Sequence, residues 1–230
     1  MNNLYIIGNG FDLYHGLNTR YQTFAKFVAK EDGEIYELLR VYYGLPDIST
    51  EPVNDEDYAQ WARFEEALAD LDYEQVLADK SDYAANPGSD DFRDRDWHSY
   101  QMEMELIIEK LTERLIQIFN SFILKVVFPK NIADRKITLR SNSIFLNFNY
   151  TNTLERYYQI EFDNICYIHN KATVKESNIV LGHGTVPSNF VQKEPQPPTG
   201  LSEEELDWWR QDLSDQYDYS YESAKWEILS

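Results

Sequence analysis

IIGNGFDLYHGLNTRYQTF, residues 6–24, decides how this chain reads. Together with the residues before it, NLYII at 3–7 forms a short run of aromatic and β-branched side chains stopped by Gly8, the pattern of a buried strand. The chain then crosses Gly8-Asn9-Gly10 and Asp12. Asn18-Thr19 offers a helix N-cap before Tyr21, Phe24 and Phe27 at helical spacing, with the helix running to about Tyr43. Gly8 and Gly10 allow either a positive φ or close approach of the backbone to a ligand, so the turn is a phosphate cradle or a simple sharp bend. Leu13 takes the place of the third glycine of a dinucleotide fingerprint. A carboxylate at Asp12 repels a pyrophosphate, and ribose hydroxyls or a pairing with Arg20 suit it better.

Outward from this turn, a loop at Gly44–Pro52 leads to a helical stretch over 55–79, with Trp61, Phe64, Leu68 and Leu71 on one stripe. Residues 81–96 are polar, centred on Pro87-Gly88, and read as a loop. The clearest helix spans 97–127, its apolar stripe running from Met104 to Val126 until Pro129 stops it. Three short apolar runs follow at 143–148, 164–168 and 178–181, and all three read as strands. A first strand that later strands must join, with helices between, implies an α/β fold: Rossmann-like, with a mostly parallel sheet and a helical insertion at about 55–128. The domain is expected over 1–185, followed by a Pro-rich linker at 186–200 and an acidic tail at 201–230. That tail carries nine acids against two bases with Trp208, Trp209 and Trp226, which makes it a solvated end or a docking surface for a protein partner.

Four polar clusters each follow a predicted strand: Gly8 to Asp12, Asn147 to Thr151, His169-Asn170, and Gly182 to Gly184. In an open parallel sheet the ligand crevice lies beyond the carboxyl ends of the strands, so clusters distant in sequence are expected to meet there. Each also has a purely structural reading: Asn149 and Thr151 as caps of the next helix, His169 and His183 as strand-end histidines satisfied by backbone carbonyls. The chemistry available is narrow. There is no H-E-x-x-H, no cysteine pair and no G-x-S-x-G elbow, so no metal is expected. An Asn that holds a water or a ribose hydroxyl, and a His suited to general-base work near neutral pH, fit cleavage of an N-glycosidic bond in a nucleotide. Asn149 and His169 are the candidate catalytic residues. Gly8, Asn9, Gly10, Asp12, Arg20, Thr151 and His183 are the candidate contacts to NAD or a related nucleotide.

With 40 Asp plus Glu against 21 Lys plus Arg, the net charge of -19 opposes generic binding to nucleic-acid backbones or anionic lipid. Cys166 is the single cysteine, which excludes an internal disulfide, and it reads as a buried inert thiol. Residues 1–25 lack a basic n-region and their apolar stretch is cut by Gly8 and Asp12, so no signal peptide is expected. No run reaches the roughly 20 apolar residues of a membrane span, and a cytoplasmic location is the expectation.

The motifs LYIIGNGFDLYHGL-TRYQTF, FNYTNTLE, IHN and VLGHG resemble those of the AbiH family of bacteriophage abortive-infection proteins, and WARFEEALADLDYE resembles its helical signature. The resemblance implies a role in antiphage defence, and further strands of the sheet beyond this length of chain. A more distant likeness is to sirtuin-like NAD-binding domains. It implies Gly8 and Gly10 against the NAD phosphates, Asn149 at the nicotinamide ribose and its water, and His169 as the base. Asp12 and Asn170 depart from that pattern, standing where those domains carry a small residue and a glycine. A non-catalytic module that senses a nucleotide or a phage protein and acts through a partner is the alternative function.

Overall fold

The computed structural model describes residues 3–84, 93, 98–175, 178–182, 202 and 206. The chain divides into two compact units, one formed by Met1–Asp70 with Leu111–His183 and the other by Leu71–Lys110 with Gly184–Ser230. The expected linker and acidic tail lie outside the described residues, apart from Ser202 and Leu206.

In the first unit, β1 (Leu4–Ile7), β2 (Ile144–Asn147) and β3 (Ile165–Tyr167) form a parallel sheet in the order β1-β2-β3. The register aligns Tyr5, Phe145 and Ile165 in one row and Ile7, Asn147 and Tyr167 in another. Because side chains alternate across a strand, these rows share one face. On that face Phe145 stacks on Tyr5 at 5.0 Å, and Ile7, Phe145 and Ile165 pack with Leu154 and Ile160. Leu154 belongs to α9 (Thr153–Tyr158), which follows β2 directly. Among the described residues the protein is thus mixed α/β, mostly helical, around a small three-stranded parallel sheet.

On the opposite face of the sheet no element packs among the described residues. Leu4 is 62% exposed and Ile6 69%. Cys166, aligned with half-buried Leu146 and exposed Ile6, is itself exposed. Two expectations are corrected here, the fully buried first strand and the buried thiol. Apolar character and β propensity mark a strand, but they do not say that only one of its faces receives helices.

Between β1 and β2 run α1 (Asn9–Tyr14), α2 (Tyr21–Glu31), α3 (Gly33–Tyr42), α4 (Asp55–Ala62) and α5 (Phe64–Ala67), then α6 (Tyr73–Lys80), α7 (Ser99–Glu109) and α8 (Leu115–Lys125). The long helix expected to Tyr43 is broken at Asp32, whose carboxylate leaves the helical path to accept Ile35 N–H at 3.2 Å and caps α3. Asn54 and Asp72 cap α4 and α6 in the same way, and breaks at Arg63 and at Leu68–Asp72 divide the expected 55–79 helix into three. Met104, Ile107, Leu111, Leu115, Phe119 and Phe122 are buried along the next helix as its stripe requires, with a π-helical turn at Lys110–Arg114. The core of the first unit is aromatic, with Phe24, Phe64 and Phe119 fully buried around the α2–α8 contact and Tyr150 edge-on to Phe119 at 4.9 Å. In the second unit α6 and α7 are joined by Lys80–Glu103 at 3.2 Å.

The 178–181 run is not a strand. It makes one backbone bond to its neighbour, Val180 N–H to the His169 carbonyl at 3.0 Å, and buries Ile179 in the aromatic core. The 81–96 segment begins as a 3-10 turn at Ser81–Tyr83 and mostly lies outside the described residues.

Candidate functional site

A cavity of about 350 Å³ opens in the first unit beyond the carboxyl ends of the three strands. Asn9 follows β1, Asn149 and Thr151 follow β2, and His169 follows β3; all four line the cavity, and so does Asp12. Parallel pairing produces the meeting. Phe148 N–H bonds the Ile7 carbonyl at 2.9 Å and Ile168 N–H bonds the Asn147 carbonyl at 2.9 Å, which brings the three strand ends side by side.

Asp12 is 1% exposed at the first turn of α1. Its two carboxylate oxygens accept from Thr151 Oγ1 and Thr153 Oγ1, each at 2.6 Å, and the two hydroxyls lie 2.8 Å apart. Burial pushes the Asp12 carboxyl above the usual range, and the threonine hydroxyls pull against it. Arg20 does not pair with it. That side chain stands exposed at the start of α2, outside the cavity lining, because the threonines already satisfy the carboxylate. Thr151 is therefore no helix cap; Asn152 holds the N-cap position of α9 without a side-chain cap bond.

Thr19 is likewise diverted from the capping role expected of it. Its hydroxyl donates to Asn9 Oδ1 at 2.6 Å and fixes the residue between the two glycines. Neither glycine uses a positive φ, a conformation found here at Gly16, Gly44 and Gly182. A Cβ on Gly8 or Gly10 would meet no protein atom within 4 Å. What the two glycines leave is open space.

Asn149 is buried, and its Nδ2 donates to the Gly8 carbonyl at 3.1 Å, tying the end of β2 to the end of β1. A carbonyl partner fixes the amide orientation. The nitrogen faces Gly8, so Oδ1 is the atom left to accept from another donor. His169 is half-buried, its ring 5.8 Å from Phe148 and 5.9 Å from Tyr150. Among the described residues neither of its ring nitrogens has a hydrogen-bond partner. His183 lies outside the described residues.

A family model described as Bacteriophage abortive infection AbiH matches residues 4–225. The chain belongs to the AbiH family. Membership implies a role in phage abortive infection. No curated protein and no solved structure matches the chain significantly.

The AbiH cavity also holds a cluster that sequence reasoning did not assign to the site. Tyr21 OH donates to Glu65 Oε1, and the Tyr150 hydroxyl lies 3.0 Å from the same oxygen and 3.2 Å from the Val180 carbonyl. Burial raises both phenols well above their ordinary range, with Glu65 adding to the effect, so both act as donors. Tyr21 had read as part of a helical stripe, and Glu65 only as part of a helical signature resembling the family's. Their place in the family-like motifs TRYQTF and WARFEEALADLDYE was the available signal. Among the described residues no lysine or arginine lines the cavity. Among the described residues no group of three metal-ligating side chains converges, and no helix is long and apolar enough to cross a membrane.

Proposed function

We propose that this AbiH protein binds a nucleotide and hydrolyses its N-glycosidic bond, with NAD or a related nucleotide as substrate, on a Rossmann-like sheet with a distant likeness to sirtuin-like domains. The observation that supports this reading is the sharing of one cavity by Asn149 and His169 at the ends of three parallel strands. At about 350 Å³ the cavity lies near the lower end of small-molecule sites, roughly 300–1,000 Å³, and suits the nicotinamide-ribose part of a dinucleotide. In this reading Asn149 Oδ1 accepts from a ribose hydroxyl or the attacking water. The C1′–N bond breaks with its electron pair passing to the base nitrogen, the water oxygen bonds C1′, and the water proton moves to His169. Asn9, Asp12 and Thr151 form the ribose side of the site. The open space before Gly8 and Gly10 admits the phosphates, with exposed Arg20 as their cation and His183 as a further contact.

A second reading has its own support. A general base is ordinarily oriented by a third group, and none hydrogen-bonds His169 among the described residues. A non-catalytic nucleotide sensor acting through a partner, for which the acidic tail is the candidate surface, fits that arrangement.

Incubation of the protein with NAD, alone and with lysate of phage-infected cells, followed by chromatography for nicotinamide, tests both. Release that His169→Ala and Asn149→Ala reduce at least a hundredfold, with folding checked by thermal melting, is the expected result. Tight NAD binding without turnover selects the sensor. No binding under either condition removes the nucleotide reading.

A further inference from the structure

We propose that Asn9 and Asn149 read the cis-diol of a ribose, with Thr19 as the positioning residue that fixes Asn9, so that the cavity selects ribonucleotides over sugars lacking those hydroxyls. The inference rests on the nucleotide reading above and narrows its substrate class. Several polar atoms of the lining are already committed to protein partners. Both Asp12 oxygens accept from threonines, and the Thr151 hydroxyl is one of those donors. The Tyr21 and Tyr150 hydroxyls go to Glu65. Asn149 is 5% exposed, with its nitrogen on the Gly8 carbonyl at 3.1 Å. A bond from Asn149 also pulls the Asp12 carboxyl downward against burial, which again needs the nitrogen on that side. Among the described residues Asn149 Oδ1 has no protein partner, and the only fully enclosed side-chain nitrogen or oxygen atoms without one are Arg40 Nε and Ser143 Oγ. Asn149 Oδ1 therefore opens onto the cavity as a fixed acceptor.

Asn9 has the opposite polarity. Thr19 Oγ1 lies 2.6 Å from its Oδ1, a length normal for O–H···O and shorter than usual for N–H···O, so the hydroxyl donates and the amide oxygen accepts. Asn9 Nδ2, which makes no bond among the described residues, is left as a donor on an exposed residue of the lining. Asn9 and Asn149 follow the paired strands β1 and β2, and Asn149 is tied to Gly8, the neighbour of Asn9. A fixed donor beside a fixed acceptor suits two neighbouring hydroxyls, one accepting and the other donating. A fully ionised phosphate has no proton to give the acceptor. Asn9 also stands between the two glycines whose open space admits the phosphates in the reading above. In a nucleotide the sugar is the part that adjoins the phosphate, so the sugar is what meets the pair.

Titration calorimetry compares NAD with an analogue whose nicotinamide sugar is 2′,3′-dideoxy, using His169→Ala wherever turnover consumes the ligand. NAD is expected to bind at least about tenfold more tightly, because a site built to bond hydroxyls is left with unpaired groups by the sugar that lacks them. Asn9→Ala and Thr19→Val each lower that ratio by roughly threefold or more, while Thr19→Ser, which keeps the hydroxyl, preserves it. A merely structural role for Thr19 would weaken both ligands alike. Equal affinities in the unmodified protein overturn the proposal without any variant, and so does a ratio that stays unchanged in Asn9→Ala or in Thr19→Val. Free nicotinamide that competes with NAD in an Asn9-dependent way sets an amide, not a diol, against the pair and overturns it too. If neither dinucleotide binds but methyl β-D-ribofuranoside does, by ligand-observed NMR and only with Asn9 intact, the diol site stands and the NAD reading falls. If no probe binds, both fall.

Discussion

Replacing Thr153 by valine removes one hydroxyl from Asp12 at nearly constant volume. The lost contact is a 2.6 Å bond onto a carboxylate that is 1% exposed, where solvent cannot replace the donor. Hydrogen bonds to charged groups contribute about 1.5–3 kcal/mol, so a loss near the middle of that range is expected at pH 7. For a protein of this size that corresponds to a fall in Tm of roughly 4–8 °C. The loss should itself depend on pH. Burial raises the folded pKa of Asp12 above its unfolded value, so the native state holds the proton more tightly. Stability therefore falls as pH rises from the unfolded pKa through the folded one, and the penalty is complete above both. Thr153 opposes this rise, and Thr153→Val pushes the carboxyl higher still. Below the folded pKa the acceptor is neutral and the bond is worth only about 0.5–1.5 kcal/mol. Urea denaturation of both proteins from pH 7 to pH 3.5 reads the difference directly. A gap that stays constant across the series, or one under about 0.5 kcal/mol at pH 7, refutes the charged, threonine-held carboxylate.

Tyr158→Phe should destabilise the protein by about 1–3 kcal/mol in the same denaturation assay, because one hydroxyl serves two partners. It donates to Nε2 of fully buried His15 at 2.6 Å and accepts from Ile137 N–H at 3.1 Å, while His15 Nδ1 donates to the Phe11 carbonyl at 2.7 Å. Cys166 should react with one equivalent of a thiol reagent in the native protein at a rate close to that of the urea-unfolded chain, since it is exposed on the sheet face opposite the packed one. Protection of more than about tenfold, followed by absorbance, would show that face to be covered.

Strand and helix types could be read from residue patterns because each rests on local periodicity. NLYII, SIFLNF and NICYI all appear as strands, and the apolar stripe from Met104 to Phe122 is buried. Less legible were features in which one side chain chooses between two partners. Asp32 looks like an ordinary surface acid until its cap on Ile35 ends a helix, and Thr19 looks like a cap until its hydroxyl goes to Asn9. Exposure of Leu4 and Ile6 escaped for a different reason, since no residue in a strand records which neighbours arrive from elsewhere in the chain. The gathering of Asn9, Asp12, Asn149, Thr151 and His169 around one cavity follows from a general rule for parallel sheets. Glu65 and its two tyrosines obey no such rule, being assembled by a kink at Arg63 that the residue sequence does not advertise.

Parallel pairing of Leu4 with Ile144 also sets a timetable for synthesis. The first strand leaves the ribosome 140 residues ahead of its partner by that register. At roughly 5–20 residues per second the interval is about 7–28 s. Throughout it, a sticky apolar strand must be shielded by something other than its native neighbour, and translation speed or chaperone supply should therefore govern how much active AbiH protein a cell accumulates.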